Sequence, residues 1–299
     1  MKVSIIGTNG FLSKTIAKYC NSHNYELDMY GLEEPRGHQY DHFCKVDLVN
    51  GEIDYDKILY SDIIINAFGA GIQSNLHESA RLIYDLNVNV PIKICDTLRL
   101  RGFKGIFVSF GSYFETGNIP GRKKITEEEL CNSVCDVPND YAVSKRLLTR
   151  FVQSYPRQFT HWHFIIPTIY GPDENPMRLI PYTIHGIQSG EALHFTSGEQ
   201  CRQYIPVTEI PKILALAYHK CLPDGIYNIE GNETLSVREI VTLIFKTLGM
   251  EIPSDCFGTS QRADTGMKYL ALDGSRLFNA IGYKDTSKLE DNIKDYLAQ

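Results

Sequence analysis

The sequence lacks the features that mark several classes of protein. No stretch approaches the run of ~20 apolar residues that a membrane-spanning helix needs. Its 30 basic residues are outnumbered by 36 acidic ones, and the formal net charge of −6 argues against a general nucleic-acid-binding surface. Internal repeats and low-complexity tracts are also absent. We therefore expect neither a membrane nor a nucleic acid as a partner.

The eight cysteines are scattered along the chain. Only Cys131 and Cys135 lie close together, and the three residues between them fit neither a zinc knuckle nor a redox pair. His161 and His163 flank Trp162 in a strand-like segment, and we interpret them as packing or surface residues rather than metal ligands. The sequence opens on a strand, without a signal-peptide pattern. We expect reduced thiols, no metal and a cytoplasmic protein.

Short apolar runs alternate with segments of helical length. The runs are Val3–Gly7, Tyr25–Gly31, Phe43–Asp47, Ile63–Phe68, Gly105–Phe110, Phe164–Thr168 and Gly225–Ile229. The longest helical segments between them are Phe11–Ser22, Ser74–Arg101 and Asp140–Tyr155. This alternation predicts an α/β fold in which helices cover both faces of a parallel sheet. Right-handed crossovers then give a doubly wound (Rossmann) sheet that binds ligands at the carboxyl ends of its strands.

The pattern changes after Gly171 and Pro172, where a loop precedes a predicted helix at Met177–Ser189 and a short predicted strand at Ala192–Thr196. The length of the chain is that of about two domains. We predict a dinucleotide-binding domain and a smaller substrate lobe, each made of two segments: 1–171 plus 205–245 for the first, and 172–204 plus 246–299 for the second.

The first apolar run leads into a glycine turn with the spacing Gly7-x-x-Gly10-x-x-Ser13, and a helix follows. Gly7 allows a tight turn, Gly10 lets the backbone approach a phosphate, and the small side chain of Ser13 permits close packing of helix against strand. The N-terminus of such a helix attracts negative charge. The segment therefore predicts a site for a dinucleotide pyrophosphate.

The end of the second strand distinguishes the two nicotinamide cofactors. A carboxylate there would bond the adenosine ribose and favour NAD. Gly31 stands at that point instead, and Arg36 and Lys14 are candidates for contacts with a 2′-phosphate. Asp47 and Leu48, which close the third strand, are placed to meet the adenine. These residues favour NADP(H) and leave NAD(H) open.

A phenol and an ammonium group stand four residues apart at Tyr141 and Lys145, on one face of a predicted helix. A cation beside a phenol favours the phenolate, so we expect Lys145 to lower the pKa of Tyr141. The tyrosine could then exchange protons near neutral pH. Either motif alone is weak evidence, but a glycine turn followed by this pair predicts nicotinamide redox chemistry.

At this point the chain resembles the extended short-chain dehydrogenase/reductase superfamily, that is, the nucleotide-sugar epimerases, dehydratases and reductases of the NAD-dependent epimerase/dehydratase family. The resemblance covers essentially the whole chain. Besides the motifs above, it depends on Asn66-Ala67, Asn87, Tyr170-Gly171-Pro172 and Arg202–Val207. The stretches Thr196–Arg202 and Phe257–Arg262 are most similar to sugar-nucleotide 4-ketoreductases of the CDP-abequose synthase type.

The resemblance implies a role for each matching residue. Tyr141 exchanges a proton with the sugar oxygen, Lys145 also binds the nicotinamide ribose, and a serine bonds the same sugar oxygen. In the family a glycine follows the catalytic serine, and Gly117 matches that glycine. The match makes Ser112 the catalytic serine and Ser109 the second candidate. The implied cofactor-binding residues are Gly7, Asn9, Gly10, Phe11, Leu12, Lys14, Arg36, Asp47, Leu48, Ala67, Phe68, Gly69, Asn87, Tyr141, Lys145 and Pro167. The implied substrate-binding residues are Ser112, Thr168, Arg178, Arg202 and Arg262, with the arginines for a diphosphate.

The resemblance also narrows the reaction. The family's dehydratases carry Asp-Glu after the catalytic threonine, whereas Tyr113 and Phe114 follow Ser112 here, so we do not expect water elimination. Reduction of a 4-keto(-6-deoxy) sugar nucleotide and 4-epimerisation remain open, and the lean towards NADP favours reduction. A non-catalytic sensor or scaffold is a third hypothesis, disfavoured because Tyr141 and Lys145 are both present. The family further implies a homodimer, formed through the helices that carry Asn87 and Tyr141.

Overall fold

The computed structural model describes residues 1–72, 76–253, 255–260 and 267–296. The larger of two sheets has seven strands: β1 (Lys2–Ile6), β2 (Glu26–Gly31), β3 (His42–Lys45), β4 (Ile63–Asn66), β5 (Ile106–Ser112), β6 (Thr160–Ile166) and β9 (Gly225–Asn228). Their order is β3-β2-β1-β4-β5-β6-β9, and every neighbouring pair is parallel. Each strand overlaps one of the seven predicted apolar runs, and the predicted doubly wound parallel sheet is confirmed.

Helices cover both faces of this sheet. In the described residues the helices are α1 (Phe11–Ser22), α2 (Tyr55–Ile58), α3 (Ala80–Tyr84), α4 (Val90–Leu100), α5 (Glu127–Asn132), α6 (Asp140–Ser154), α7 (Leu179–Ser189), α8 (Glu209–His219), α9 (Val237–Thr247), α10 (Ser275–Ile281) and α11 (Leu289–Ile293). Of these, α7, α9 and α11 pack against the smaller of the two sheets. Ile5 and Ile6 of β1 are both fully buried, because successive side chains of a strand point to opposite faces. Ile5 packs in a cluster with Ile16 of α1, and Ile6 in another with Ile94 of α4.

A smaller sheet forms around β8 (Cys201–Pro206). This strand pairs in parallel with β7 (Thr168–Tyr170) and β11 (Tyr269–Leu270), and antiparallel with β10 (Glu233–Ser236). The four strands come from both of the predicted domains, and the division of the chain at the predicted boundaries stays a prediction. In the part of the chain that the structure describes, no helix has the length and apolar character to cross a bilayer.

The predicted helix Ser74–Arg101 is wrong at its start. Residue 74 itself lies outside the described residues, and α3 begins only at Ala80. Upstream of it, His77 has a φ of 48°, which a right-handed helix does not accommodate. The carboxylate of Glu78 accepts a hydrogen bond from the backbone N–H of Gly71 at 2.6 Å. This segment is therefore bound to the loop after β4 and does not continue the helix.

Two further local predictions differ from the structure. A π-helical turn, Asp85–Asn89, joins α3 to α4 and interrupts the predicted continuous helix. The predicted strand Ala192–Thr196 is not formed among the described residues, where Phe195 makes only an isolated bridge to Phe257. Backbone hydrogen bonds around Phe195, such as that from its N–H to the Cys256 carbonyl at 2.8 Å, hold this segment without forming a regular strand. Leu193 and Phe195 also belong to a buried apolar cluster against α9.

Candidate active site

A cleft of about 530 Å³ opens at the carboxyl edge of the larger sheet. Its walls come from the start of α1, the loops after β4 and β5, the end of β6 with β7, and the start of α7. Among the residues implied by the resemblance, those that line it are Gly10, Phe11, Leu12, Ala67, Phe68, Gly69, Ser112, Tyr141, Lys145, Pro167, Thr168 and Arg178. Segments that are far apart in sequence thus meet at one edge, as parallel sheets of this kind require.

The glycine turn fits the close approach of a backbone to a phosphate group. Gly7 has a φ of 105°, and a Cβ added there would lie 3.0 Å from the backbone nitrogen of Phe68, so this position requires glycine. Gly10 is the N-cap of α1 and makes no side-chain cap, and it lines the cleft together with Phe11. Backbone N–H groups at the start of a helix bind anions, and the turn therefore fits a dinucleotide pyrophosphate.

Asn9 fixes the loop that follows β2 against the glycine turn. Its amide nitrogen donates to the backbone oxygen of Glu34 at 3.0 Å, and its oxygen accepts from the backbone N–H of Arg36 at 3.0 Å. The exposed guanidinium of Arg36 pairs with Glu33 at 3.1 Å. A Cβ added to Gly31 would come within 2.8 Å of the Thr8 methyl carbon, so the present packing leaves no room there for an acidic side chain.

The other residues expected near the adenosine are not in the wall of the cleft. The carboxylate of Asp47 accepts hydrogen bonds from the backbone of Val49 and from the backbone and side chain of Asn50. These bonds lower the pKa of Asp47 and hold a tight turn after β3. Leu48 lies within that turn, and Lys14 lies in the first part of α1, half-buried.

The loop after β4 is held from behind by Asn87, whose side chain is buried. Its oxygen accepts from the backbone N–H of Ala70, and its nitrogen donates to the Ala70 carbonyl and to the hydroxyl of Ser144, each at 2.9 Å. The π-helical turn that carries Asn87 therefore links the cleft loop to α6. A Cβ added to Gly69 would lie 3.1 Å from the Asn87 oxygen, which shows how closely the loop packs.

Helix α6 brings Tyr141 and Lys145 to the cleft. The side chain of Asn139 caps the helix by accepting from Ala142 N–H at 3.0 Å. Lys145 donates to the backbone oxygen of Phe110 at 2.9 Å, and its Nζ lies 5.8 Å from the centre of the Tyr141 ring. The two side chains thus share one helix face, one turn apart, as their spacing predicts.

The electrostatics of this pair differ from expectation. Burial raises the pKa of Tyr141, and its hydrogen bond with Ser112 only partly offsets this. The pKa of Tyr141 therefore shifts upwards, against the expected lowering, because desolvation is the largest cause of the shift. Burial also lowers the pKa of Lys145 to about 8. The phenol is neutral at pH 7 and can donate a proton.

The two candidate serines lie in different surroundings. Ser112 ends β5, lines the cleft and bonds Tyr141. Ser109 is fully buried, with its hydroxyl 2.8 Å from Nε2 of His161 and 2.7 Å from Nδ1 of His163. Ser112 is therefore the serine with access to a bound substrate, and the two histidines lie in the interior.

The predicted substrate arginines are distributed unevenly. Arg178 stands immediately before α7, lines the cleft and pairs with the nearly buried carboxylate of Glu174 at 3.1 Å. Arg202 is buried in β8, where it donates to the Cys201 carbonyl at 2.8 Å and lies 5.7 Å from the centre of the Phe114 ring. Arg262 lies outside the described residues. Within the described residues, Arg178 is the predicted arginine that reaches the cleft.

Sequence reasoning missed several residues of the site. The hydroxyl of Tyr113 lies 2.5 Å from that of Thr168 and joins the loop after β5 to β7 inside the cleft. Glu78 also lines the cleft, on the loop that was predicted to be helical. Glu115, in the turn directly after β5, is fully buried and bonded to Thr149. The available signal for Glu115 is a charged residue within three positions of the apolar strand β5.

Comparison with known proteins agrees with this geometry. A dTDP-D-glucose 4,6-dehydratase of Homo sapiens is 33% identical over 117 residues, which are 36% of this chain and 33% of that protein. The chain therefore spans about a third of the length of this relative. A CDP-abequose synthase of Yersinia pseudotuberculosis is 24% identical over 264 residues, 82% of this chain and 83% of that protein.

The fold is also that of solved enzymes. The structure of UDP-glucose 4-epimerase from Thermus thermophilus in complex with NAD superposes with a TM-score of 0.81 at 15% identity, covering 100% of this chain and 98% of that one. The model of the NAD dependent epimerase/dehydratase family matches residues 3–229. This match covers most of the chain, including the glycine turn, the cleft loops and α6. The chain belongs to the NAD dependent epimerase/dehydratase family.

Proposed function

We propose that this protein reduces a 4-keto sugar nucleotide, 4-keto-6-deoxy sugars included, with NADPH as the reductant and Tyr141 as the proton donor. One observation carries the proposal: Ser112, Tyr141 and Lys145 meet in a cleft that begins at a glycine turn and ends at Arg178. The end of the cleft at the glycine turn suits a dinucleotide, and the end at Arg178 suits an anionic substrate.

The residues of the cleft fit a nicotinamide dinucleotide, because Gly7 and Gly10 leave the backbone open to a pyrophosphate. When bound, the reduced nicotinamide would supply a hydride to the carbonyl carbon of the sugar. Ser112 donates a hydrogen bond to the carbonyl oxygen and orients it. Tyr141 gives its proton to that oxygen, which completes the alcohol. Lys145 stabilises the phenolate that remains on Tyr141.

Two features favour reduction over the other reactions of the family. Tyr141 is a buried, neutral phenol, which is the form that donates a proton to a ketone. Tyr113 and Phe114 line the cleft after Ser112, where the resemblance gives dehydratases an acidic pair. The similarity to a CDP-abequose synthase over most of the chain supports the same choice.

NADPH is proposed over NADH because Gly31 offers no carboxylate to the ribose and Arg36 is close by. An NAD-dependent sugar-nucleotide 4-epimerase is the alternative. The fold similarity to a UDP-glucose 4-epimerase solved with NAD favours it. An epimerase would return the hydride to the sugar and would need no external NADPH, so consumption of NADPH separates the two proposals.

A homodimer is part of the proposal. Helices α4 and α6 carry exposed apolar side chains, with Leu100 71% exposed and Leu147 45% exposed. Helices with apolar residues on their outer faces are suited to pack against copies of themselves.

The test measures the turnover of a panel of 4-keto sugar nucleotides from the decrease in NADPH absorbance. Tyr141→Phe should lower turnover by ~10²–10⁴-fold and leave NADPH binding intact. Tyr155→Phe, at the end of the same helix, is the matched control and should retain activity. Ser112→Ala should cost more activity than Ser109→Ala. Near-normal turnover by Tyr141→Phe would remove this residue from the mechanism.

A further inference from the structure

Behind the cleft, a row of buried polar side chains continues inwards from the turn after β5, Tyr113–Thr116, and we call it the polar row. Its members are Glu115, Thr149, His163, Ser109 and His161, and all of them are buried. The Thr149 hydroxyl lies 2.9 and 3.0 Å from the two carboxylate oxygens of Glu115 and 2.8 Å from Nε2 of His163. The Ser109 hydroxyl then connects Nδ1 of His163 to Nε2 of His161. The proposed reaction uses none of these groups.

The polar row begins next to Lys145. Thr149 follows Lys145 by four residues on α6, so both side chains lie on the same helix face. Lys145 bonds the carbonyl of Phe110, and a Cβ on the next residue, Gly111, would lie 3.0 Å from an oxygen of Glu115. The missing side chain at Gly111 therefore leaves the space in which Glu115 approaches β5, one residue from the carbonyl that Lys145 binds.

The hydrogens of the polar row can be counted. Burial lowers the pKa of His161 to about 3 and that of His163 well below its usual range, so each neutral ring carries one N–H. If Glu115 is ionised, Thr149 must donate to it, and His163 donates from Nε2 to Thr149. Ser109 then donates to Nδ1 of His163, and His161 donates from Nε2 to Ser109. The row ends on a bare Nδ1 of His161.

The arrangement in which every hydrogen bond of the polar row is reversed is less favourable. It requires a protonated Glu115 that donates to Thr149, and it ends with an N–H on Nδ1 of His161. That nitrogen is buried and has no hydrogen-bond partner within the described residues. Orphaned buried N–H groups are rarer in proteins than unsatisfied acceptors. The hydrogen bonds therefore point towards Glu115 and favour its charged form, whereas burial raises the pKa of Glu115 to about 8. The carboxylate thus forms in the pH range in which Lys145 would lose its proton.

We infer that Glu115 is a positioning residue, whose carboxylate, supported by the polar row, keeps Lys145 in its cationic form beside Tyr141. The role rests on the proposed function, in which Tyr141 gives up a proton and a negative charge develops on its oxygen. A nearby cation stabilises that charge, and a neutral amine would not. Burial opposes the cation, and the charge of Glu115 acts in the opposite direction on Lys145.

The charges around this pair come from several elements. Besides Glu115 and Lys145 themselves, the titratable groups that interact with one or the other include Tyr141, Arg146 and Arg150 of α6, His163 of β6, and Cys131 of α5. The charge of Glu115 raises the pKa of Tyr141. The guanidinium of Arg146 is bound to the backbone oxygens of Glu115 and Cys135. Glu115 is the carboxylate among these groups, so its removal should lower the pKa of Lys145.

The experiment follows the titration of Lys145 by NMR in protein labelled with ¹³C-lysine, with the signal assigned through Lys145→Arg. In Glu115→Gln the titration midpoint of Lys145 should fall by about one pH unit or more, since a nearby opposite charge shifts a pKa by about 1–3 units. The alkaline limit of kcat should move down by the same amount. Thr149→Val keeps the carboxylate and removes its hydroxyl donor, so it should shift the midpoint the same way by less.

Glu209→Gln is the matched control, because Glu209 is also a buried carboxylate but is bound by Lys212 at the start of α8. It should leave the Lys145 midpoint unchanged. An unchanged Lys145 midpoint in Glu115→Gln would overturn the inference. If Glu115→Gln does not fold, an unchanged midpoint in Thr149→Val would overturn it instead. If the native protein reduces no sugar nucleotide, the proposed function fails, whereas the titration still decides the role of Glu115.

Discussion

Asn87 provides a test of how the cofactor side of the cleft is held. Its side chain is 1% exposed and makes three hydrogen bonds of 2.9 Å, two to the backbone of Ala70 and one to Ser144. It therefore joins the cleft loop after β4, the π-helical turn and α6. Asn87→Ala would remove all three bonds and leave both backbone groups of Ala70 without this partner.

The expected loss of stability follows from these contacts. A net contribution of about 1 kcal/mol per hydrogen bond gives about 3 kcal/mol for the three. The desolvated groups of Ala70 can only add to this cost, because buried polar groups without partners are unfavourable. For a chain of this size a loss of 1 kcal/mol lowers Tm by roughly 2 °C, so Tm should fall by roughly 6 °C. The loosened loop should also bind NADPH more weakly.

Thermal unfolding followed by circular dichroism measures the first effect, and a fluorescence titration with NADPH measures the second. Asn89→Ala is the matched control, because Asn89 lies on the same turn and makes an exposed bond to Asp85. Its effect should stay within about 0.5 kcal/mol, as for most surface changes. If Asn87→Ala proves as stable as Asn89→Ala, the three bonds do not hold the loop and the reasoning fails.

Two more predictions concern the cofactor and the assembly. Arg36→Gln should weaken NADPH binding about tenfold or more while NADH binding stays unchanged, because a charge-assisted hydrogen bond contributes ~1.5–3 kcal/mol. Titration of both cofactors tests this, and an equal loss of affinity for the two would exclude a contact between Arg36 and the 2′-phosphate. Light scattering at micromolar concentration should give twice the chain mass of 34.0 kDa, whereas a monomeric mass would contradict the homodimer.

The sheet could be predicted because buried parallel strands have a strong signature. Both faces of such strands are covered, so β1 and β4 are nearly continuous apolar runs. The glycine turn was equally accessible, since the positive φ of Gly7 is a conformation that other residues rarely adopt. Local patterns of this kind carry their own physical cause, and their prediction needs no knowledge of distant contacts.

The remaining features depend on contacts between distant segments. The predicted helix at Ser74 fails because Glu78 bonds the backbone of Gly71, a contact that helix propensity cannot reveal. The direction of the Tyr141 pKa shift depends on how much water the folded cleft excludes. The position of Arg202 behind Phe114, rather than in the cleft wall, is likewise set by the ladder of the smaller sheet.

The alternating histidines of β6 are a sequence pattern whose meaning became clear only from the contacts of the polar row. His161 and His163 alternate on β6 and therefore face the same side of the sheet, where His163 stands opposite Ser109 in the parallel register. Buried strands favour apolar residues on such a face, so polar residues there need a compensating gain. Here the row ends on Glu115, which approaches Gly111 next to the carbonyl that Lys145 binds. Burial keeps Tyr141 protonated, and burial alone would also discharge Lys145. A site that needs an acid and a cation in one dry cleft must supply a counter-charge to the lysine. Glu115 is placed to do so, and its charge also raises the pKa of Tyr141, which keeps the acid protonated.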